Sequence, residues 1–169
     1  MNEFSYISEK IKNAEFRKNP FKHILIEDFL KKEHLDIILS DKQIHFDDSE
    51  TTEDLIDVLH SKNYKVQNFP GCTTDLVDHY NNDSFPHGRK GTPIESYGVT
   101  FRLEKIENEL IQELTNYLNG KEFKETLEEK FKIEKETRII TAIQKNLSHY
   151  EISPHPDVRE KQLTYLLNI

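Results

Sequence analysis

Cysteine, tryptophan and long apolar runs are scarce or missing in this chain of 169 residues, which contains one Cys and no Trp. The lone Cys72 cannot form an internal disulfide, which favours a reducing compartment. The first residues, MNEFSYISEKIKNAEF, contain no apolar signal core, and no uninterrupted apolar run is long enough to cross a bilayer. We therefore expect a cytoplasmic protein without a membrane-spanning segment.

Basic residues are also fewer than acidic residues. Lys and Arg together number 23 against 31 Asp and Glu, so the formal net charge is −8. Nucleic-acid backbones and anionic membrane surfaces both need a basic face on their protein partner. The composition therefore argues against nucleic acid and membrane as main partners.

Helical patterns dominate the first four fifths of the chain. The segment FRLEKIENELIQELTNYLNG (101–120) predicts the clearest helix, because apolar residues recur every four positions and Gly120 is a natural residue after a helix end. A second helix is predicted directly after it by the same spacing. Asp28 is the expected N-cap of an earlier helix, and LIDVLH (55–60) predicts a short one. The residues that carry these patterns are Leu35, Ile38, Leu39, Ile106, Leu110, Leu114, Leu118, Phe123, Leu127 and Phe131.

Strand-like segments gather towards the end of the chain. β-Branched and aromatic residues predict strands over 137–147 (TRIITAIQKNL) and 162–169 (QLTYLLNI), after an early strand over 21–26 (FKHILI). The acidic stretch 41–54 predicts a loop, and so does SHYEISP (148–154). NNDSFPHGRKGTPIES (81–96) predicts the longest irregular stretch and a candidate lid. This order predicts one α+β domain over residues 1–169, whose sheet begins where the sequence stops.

A His-Pro-Asp triplet precedes the last predicted strand. In an extended chain residues i and i+2 point to the same side, so His155 and Asp157 can offer a nitrogen and a carboxylate oxygen to one ion. Two His and one carboxylate, with open positions, are the usual protein ligands of non-haem Fe(II) oxygenases. The triplet supplies two of these three ligands.

Two other interpretations of the triplet stay open. It can be a solvated turn in which Asp157 caps a backbone amide. J-domains of co-chaperones also carry His-Pro-Asp between two helices, but the flanks here, NLSHYEIS and QLTYLLNI, are unlike those helices.

The flanks of the triplet carry a family resemblance. YEISPHPDVREKQLTYLLNI resembles the iron- and 2-oxoglutarate-dependent oxygenases, particularly their prolyl-hydroxylase-like bacterial and phage branch. NPFKHILIEDFLKKE (19–33) resembles the opening of the same branch. The resemblance implies a helical N-terminal part followed by the first strands of a double-stranded β-helix, or jelly roll, which is incomplete in this chain.

The resemblance implies Fe(II) and 2-oxoglutarate as cofactors. His155 and Asp157 would be metal ligands, and Gln144, Asn146 and Tyr150 lie near the position that contacts the cosubstrate. The family's second His and its cosubstrate Arg or Lys match no residue of this sequence. An upstream His could replace the missing ligand, and the candidates are His79, His87 and His149.

These features predict an Fe(II)/2-oxoglutarate-dependent dioxygenase of the hydroxylase type, or a truncated, inactive form of one. No catalytic residue beyond the metal ligands is identified, and the substrate is unknown. With two ligands, we expect weak binding of divalent metal and no turnover of 2-oxoglutarate. The alternative is a non-catalytic binding module in which His-Pro-Asp is a structural turn. We further expect the C-terminal strand to promote homo-oligomers, because its apolar side chains and open edge lack neighbours.

Overall fold

The structure, a computed structural model, describes residues 2–46, 52–67, 96–97, 100–146, 151–152 and 161–169. Within these ranges the helices are α1 (Tyr6–Asn13), α2 (Lys32–Leu39), α3 (Thr52–Ser61), α4 (Glu109–Leu118) and α5 (Lys121–Phe131). The strands are β1 (Tyr64–Gln67), β2 (Ser96–Tyr97), β3 (Thr100–Leu103), β4 (Gln144–Asn146) and β5 (Glu151–Ile152). The fold class is therefore mixed α+β, as predicted. No helix in these ranges is long and apolar enough to cross a membrane.

The chain divides into two compact units. The first unit, unit 1, comprises Met1–His45, Glu107–Thr141 and Arg159–Ile169, and the second, unit 2, comprises Phe46–Ile106 and Ala142–Val158. Unit 1 contains α1, α2, α4 and α5, whereas unit 2 contains α3 and all five strands.

Unit 1 is a helical assembly in which α5 contacts both α1 and α4, and α2 contacts α4. Each helix turns an apolar stripe inward, as amphipathic helices of globular proteins do. Its buried apolar side chains are Phe4, Ile7, Ile11, Leu30, Ile38, Ile111, Leu114, Tyr117, Leu118, Phe123 and Leu127.

The start of α4 corrects the predicted helix 101–120. The helix begins at Glu109, because Asn108 caps it: the Asn108 Oδ1 accepts from the backbone N–H groups of Leu110 at 2.9 Å and Ile111 at 3.2 Å. Residues 100–103 form strand β3 instead of a first helical turn. The prediction was therefore wrong for residues 101–108 and correct for residues 109–118.

The predicted helix after Gly120 is confirmed as α5, with Phe123 and Leu127 buried. Gly120 follows α4 as predicted, but its φ of −82° is ordinary, so no left-handed turn requires a glycine here. Glycine fits here because any side chain would come close to the backbone of the preceding helix. A Cβ at this position would lie 3.0 Å from the carbonyl oxygen of Tyr117.

The N-terminal predictions are partly wrong. Residues 21–26 do not form a strand; one isolated bridge joins Arg17 to His23. Asp28 does not cap α2, whose N-cap is Lys31, because Asp28 adopts a left-handed turn with φ of 49°. Helix α2 itself is confirmed, and so is α3, which begins at Thr52 inside the segment predicted as a loop.

Unit 2 is built on a three-stranded antiparallel sheet with the order β1-β3-β4. Leu59 of α3, Tyr64 of β1 and Phe101 of β3 form its buried core, which partly buried apolar neighbours surround. A separate antiparallel pair joins β2 to β5, so the strand β5 replaces part of the connection predicted over 148–154. These described strands do not by themselves make up a double-stranded β-helix.

Both predicted C-terminal strands need correction. Of the described part of the predicted strand, residues 137–146, only Gln144–Asn146 pairs in a sheet, and residues 161–169 form no strand. Burial nevertheless alternates along 161–169: Leu163, Tyr165 and Leu167 are half-buried, whereas Leu166 is 82% exposed. Tyr165 packs edge-on against Phe123 of α5 at 5.4 Å between ring centroids. The segment thus has the periodicity of a strand, but it lies against a helix.

Candidate functional site

The two predicted metal ligands, His155 and Asp157, lie outside the described residues, and so does Tyr150. The same holds for the three upstream histidines and for residues 81–95 of the predicted lid. Within the described ranges, no group of three or more His, Cys, Asp or Glu side chains could hold a metal ion. The metal site therefore stays a prediction, whereas Gln144 and Asn146 can be placed.

Gln144 and Asn146 lie on the same face of the sheet. They belong to β4, where Gln144 is opposite Arg102, Lys145 is opposite Phe101, and Asn146 is opposite Thr100. Successive side chains of a strand alternate between faces. Because Phe101 belongs to the core, Lys145 lies on the core face, and the two amides lie on the other face.

Strand β1 extends this second face. Lys65 is opposite Arg102 and Gln67 is opposite Thr100, while Tyr64 and Val66 face the core. We call this surface the polar face. It consists of Lys65, Gln67, Thr100, Arg102, Gln144 and Asn146.

A hydrogen bond across the polar face fixes the amide of Asn146. The Thr100 hydroxyl donates to Asn146 Oδ1 at 3.0 Å, and Thr100 is only 1% exposed. With Oδ1 accepting this bond, the Nδ2 group of Asn146 is left to donate to other acceptors. The pair therefore presents amide N–H groups at a defined position.

The two cations of the polar face, Lys65 and Arg102, differ in their exposure to solvent. The Lys65 ammonium pairs with the Glu104 carboxylate at 2.6 Å, and both side chains are at least half exposed. The Glu104 backbone N–H donates to the Asn63 carbonyl at 3.0 Å, which holds the chain after β3 beside the start of β1. Arg102, in contrast, is half-buried on the central strand β3.

Sequence reasoning missed Arg102, because residues 101–103 were assigned to a helix. One signal could have found it. Thr100–Leu103 alternates polar and apolar residues and includes a β-branched and an aromatic residue, as half-buried strands do.

On the core face, two lysines approach one aromatic ring. Lys145 Nζ lies 3.8 Å and Lys62 Nζ 4.1 Å from the centroid of Phe46. Burial, and then the neighbouring Lys62 charge, lower the pKa of Lys145. The ring's negative face attracts both ammonium groups.

Unit 1 contains a buried histidine that was not predicted. The backbone N–H of Lys31 donates to the Tyr6 hydroxyl at 3.1 Å, and His34 Nδ1 lies 3.2 Å from the same oxygen. His34 Nε2 lies 3.0 Å from Glu3 Oε1. A neutral imidazole satisfies the whole chain of hydrogen bonds: Tyr6 donates to Nδ1, and Nε2–H donates to Glu3. Because each of these groups has a partner, the network fastens α2 to the N-terminal segment, and we assign it a structural role.

The polar face is therefore the candidate functional site among the described residues. It combines two cations, three amides and a hydroxyl on one side of a sheet whose other side is packed in the core. Comparison of the chain with protein-family models, with curated proteins and with solved structures finds no match.

Proposed function

We propose that this chain provides the iron- and cosubstrate-binding part of an Fe(II)/2-oxoglutarate-dependent dioxygenase of the hydroxylase type. In this proposal His155 and Asp157 bind Fe(II), and the three-stranded sheet belongs to a double-stranded β-helix. The proposal includes a cytoplasmic location, which the single Cys72 favours.

The observation that carries the proposal is the shared face of Gln144 and Asn146. These two residues were selected from the family resemblance, as candidates for contact with the cosubstrate. The register of β4 puts both on the side away from the core. A cosubstrate that carries two carboxylates needs N–H donors and positive charge, and the polar face has both.

The predicted ligands fit Fe(II) in their chemistry. Imidazole nitrogen and carboxylate oxygen are the donors that non-haem Fe(II) sites use. Asp157 would contribute negative charge near the ion, and His155 must be neutral to bind it, so metal affinity should fall in acid. Bound iron would react with 2-oxoglutarate and O₂, so that the cosubstrate is converted to succinate and CO₂ while a substrate carbon is hydroxylated.

The role of the protein in this scheme is to bind and orient. Donors of the polar face would hold the cosubstrate while His155 and Asp157 hold the metal. The stretch 81–96 is proposed to select the substrate, on its position and composition.

Metal-dependent binding of 2-oxoglutarate tests the proposal. We would measure Mn(II) binding by electron paramagnetic resonance, and 2-oxoglutarate binding by calorimetry with and without Mn(II). The parent chain should bind 2-oxoglutarate more tightly with the metal, and Asp157→Ala should abolish this difference. Asp36→Ala is the matched control, because it removes an exposed carboxylate of α2 whose partner is Lys32.

Two outcomes would change the assignment. If the metal has no effect on 2-oxoglutarate binding by the parent chain, the dioxygenase is wrong and the non-catalytic module is favoured. Succinate release above the free-iron background that is lost in Asp157→Ala would show turnover by this chain. That result would contradict the expected lack of turnover and would point to an upstream ligand such as His149.

A further inference from the structure

The helices α4 and α5 meet at the dipeptide Asn119–Gly120, the one Asn-Gly pair in the sequence. An Asn amide that is followed by glycine is open to attack by the next backbone nitrogen, because glycine has no Cβ to shield that nitrogen. Asn119 is exposed, so water and hydroxide can reach its side chain. The dipeptide therefore combines the residue types and the solvent access that deamidation needs.

Both ends of the Asn119 amide are held by hydrogen bonds. Asn119 Nδ2 donates to the Thr115 carbonyl oxygen at 2.9 Å, and Asn119 Oδ1 accepts from the Thr141 backbone N–H at 3.1 Å. Because one neighbour is an acceptor and the other is a donor, only one orientation of the amide satisfies both. The side chain is therefore fixed between the last turn of α4 and the residues that precede β4.

The backbone of the dipeptide also opposes the reaction. The ψ of Asn119 is −2°, which turns the Gly120 nitrogen towards the backbone nitrogen of Asn119 and away from its Cβ. Ring closure onto Cγ needs the nitrogen on the side of Cβ. The Gly120 N–H also donates to the Tyr117 carbonyl oxygen at 2.9 Å. Attack on Cγ therefore requires three hydrogen bonds to open and ψ to change.

We propose that Asn119–Gly120 is a deamidation site that the folded chain protects and that reacts when the junction of α4 and α5 opens locally. In the reaction, the Gly120 nitrogen loses its proton to hydroxide and forms a bond to Asn119 Cγ. The Cγ–Nδ2 bond breaks, and Nδ2 takes up a proton from water and leaves as ammonia. Water then opens the cyclic imide to aspartate or isoaspartate, so the net reaction consumes water and needs no oxidant or reductant. None of the residues of the proposed dioxygenase takes part.

Either product changes the junction for good. Aspartate lacks the Nδ2 donor, so a carboxylate oxygen faces the Thr115 carbonyl oxygen in its place. Isoaspartate carries the main chain through the side chain and adds a carbon atom between the two helices. That addition moves the Gly120 N–H away from the Tyr117 carbonyl. A chain that has reacted while open therefore cannot restore all the original hydrogen bonds of the junction.

Peptide mapping by mass spectrometry on the full chain tests the site. The chain is incubated in mildly alkaline buffer and in guanidinium chloride, and the fraction with aspartate or isoaspartate at position 119 is followed over time. Deamidation should be slower in buffer by about a hundredfold or more, the size expected when three hydrogen bonds must open first. Asn116 is the internal control, because it is exposed on α4 but is followed by Tyr117. It should react more slowly than Asn119 in guanidinium chloride.

Two results would overturn the inference. Equal rates at Asn119 in buffer and in guanidinium chloride would show that the fold does not protect the site. No product at Asn119 in guanidinium chloride, or no more than at Asn116, would show that the dipeptide has no special reactivity. Both measurements use the parent chain, so neither depends on a variant that folds.

One substitution tests the contribution of Thr141 in the folded chain. The Tyr165 hydroxyl hydrogen-bonds with the Thr141 hydroxyl and so helps to hold the Thr141 N–H against Asn119. Tyr165→Phe removes only that hydroxyl and should speed deamidation in buffer by roughly two- to tenfold. Leu166→Ala, at the next residue, which is 82% exposed, is the matched control and should leave the rate unchanged. Equal rates in the parent and in Tyr165→Phe would contradict the protection assigned to Thr141.

Discussion

Tyr165 should be the residue that fastens the C-terminal segment to unit 1. Its ring packs edge-on against Phe123 of α5, and its hydroxyl hydrogen-bonds with the hydroxyl of Thr141. Burial raises the pKa of Tyr165, which agrees with a phenol held against the protein. Leu166, the next residue, is 82% exposed. Replacing these two neighbours separately therefore compares the inner and the outer side of one segment.

The expected cost of Tyr165→Ala follows from three contributions. Half-burial of the ring contributes about 1 kcal/mol, the edge-on aromatic pair about 1 kcal/mol, and the hydroxyl pair about 1 kcal/mol. Tyr165→Ala should therefore lower the free energy of unfolding by about 3 kcal/mol, or by the docking free energy of the segment if that is smaller. Leu166→Ala should cost less than about 0.5 kcal/mol.

Urea denaturation and amide hydrogen exchange over 161–169 are the assays. Tyr165→Ala should remove exchange protection from the segment, and Leu166→Ala should leave it intact. In a double-mutant cycle, Tyr165→Phe and Thr141→Val should show a coupling of about 1 kcal/mol. Light scattering at several concentrations gives the oligomeric state in parallel.

The opposite order of the two substitutions would refute this reasoning. If Leu166→Ala destabilises more than Tyr165→Ala, the segment is held through its outer side, as it would be between two copies of the chain. A concentration-dependent mass in light scattering that Leu166→Ala abolishes would support the homo-oligomer predicted from the sequence. A monomer at all concentrations, with protection over 163–167, would contradict that prediction.

Two further predictions concern buried polar groups. Tyr117→Phe removes the hydroxyl that lies 2.6 Å from the Ser8 hydroxyl, and Ser8 is 3% exposed, so the substitution should lower the free energy of unfolding in urea by about 1–2 kcal/mol. The double variant with Ser8→Ala should lose less than the sum of the two single losses. Simple additivity of the two losses would argue against an energetic coupling between the two hydroxyls. Burial, and then Lys62, lower the pKa of Lys145, so the unfolded chain binds more protons than the folded chain. The free energy of unfolding should therefore rise with pH from the folded pKa of Lys145 to its ordinary value of 10.5, and Lys145→Met should flatten this rise; an unchanged slope would contradict the assignment.

Helices were predictable from the sequence where a local pattern determines them. The apolar spacing of Phe123 and Leu127 predicted α5, because helix periodicity is a property of neighbouring residues. The start of α4 was not predictable from that spacing, since Ile106 continues the same pattern before the helix begins. Asn108 decides the boundary by capping the first N–H groups and by donating to Asp41 at 2.9 Å, a residue distant in sequence.

Strands were predictable in their periodicity but not in their pairing. Burial alternates along 161–169, as the sequence QLTYLLNI suggests, yet no ladder forms there. Side-chain alternation depends on the local backbone, whereas a ladder needs a second strand from elsewhere in the chain. For the same reason, the sequence predicted that Gln144 and Asn146 lie in a strand, but it could not reveal that Arg102 lies opposite Gln144.

The register of β4 puts Lys145 and the two proposed cosubstrate contacts on opposite faces of the sheet. Lys145 lies on the core face over Phe46, whereas Gln144 and Asn146 lie on the polar face. A slip by one residue would exchange the faces: it would bury two amides and expose the stem of Lys145. The Thr100–Asn146 hydrogen bond and the packing of Phe101 both oppose such a slip. Substitution of Lys145 should therefore change the pH dependence of stability and leave the proposed 2-oxoglutarate binding intact. Gln144→Ala, at an exposed position, should weaken the proposed 2-oxoglutarate binding and leave the pH dependence of stability unchanged.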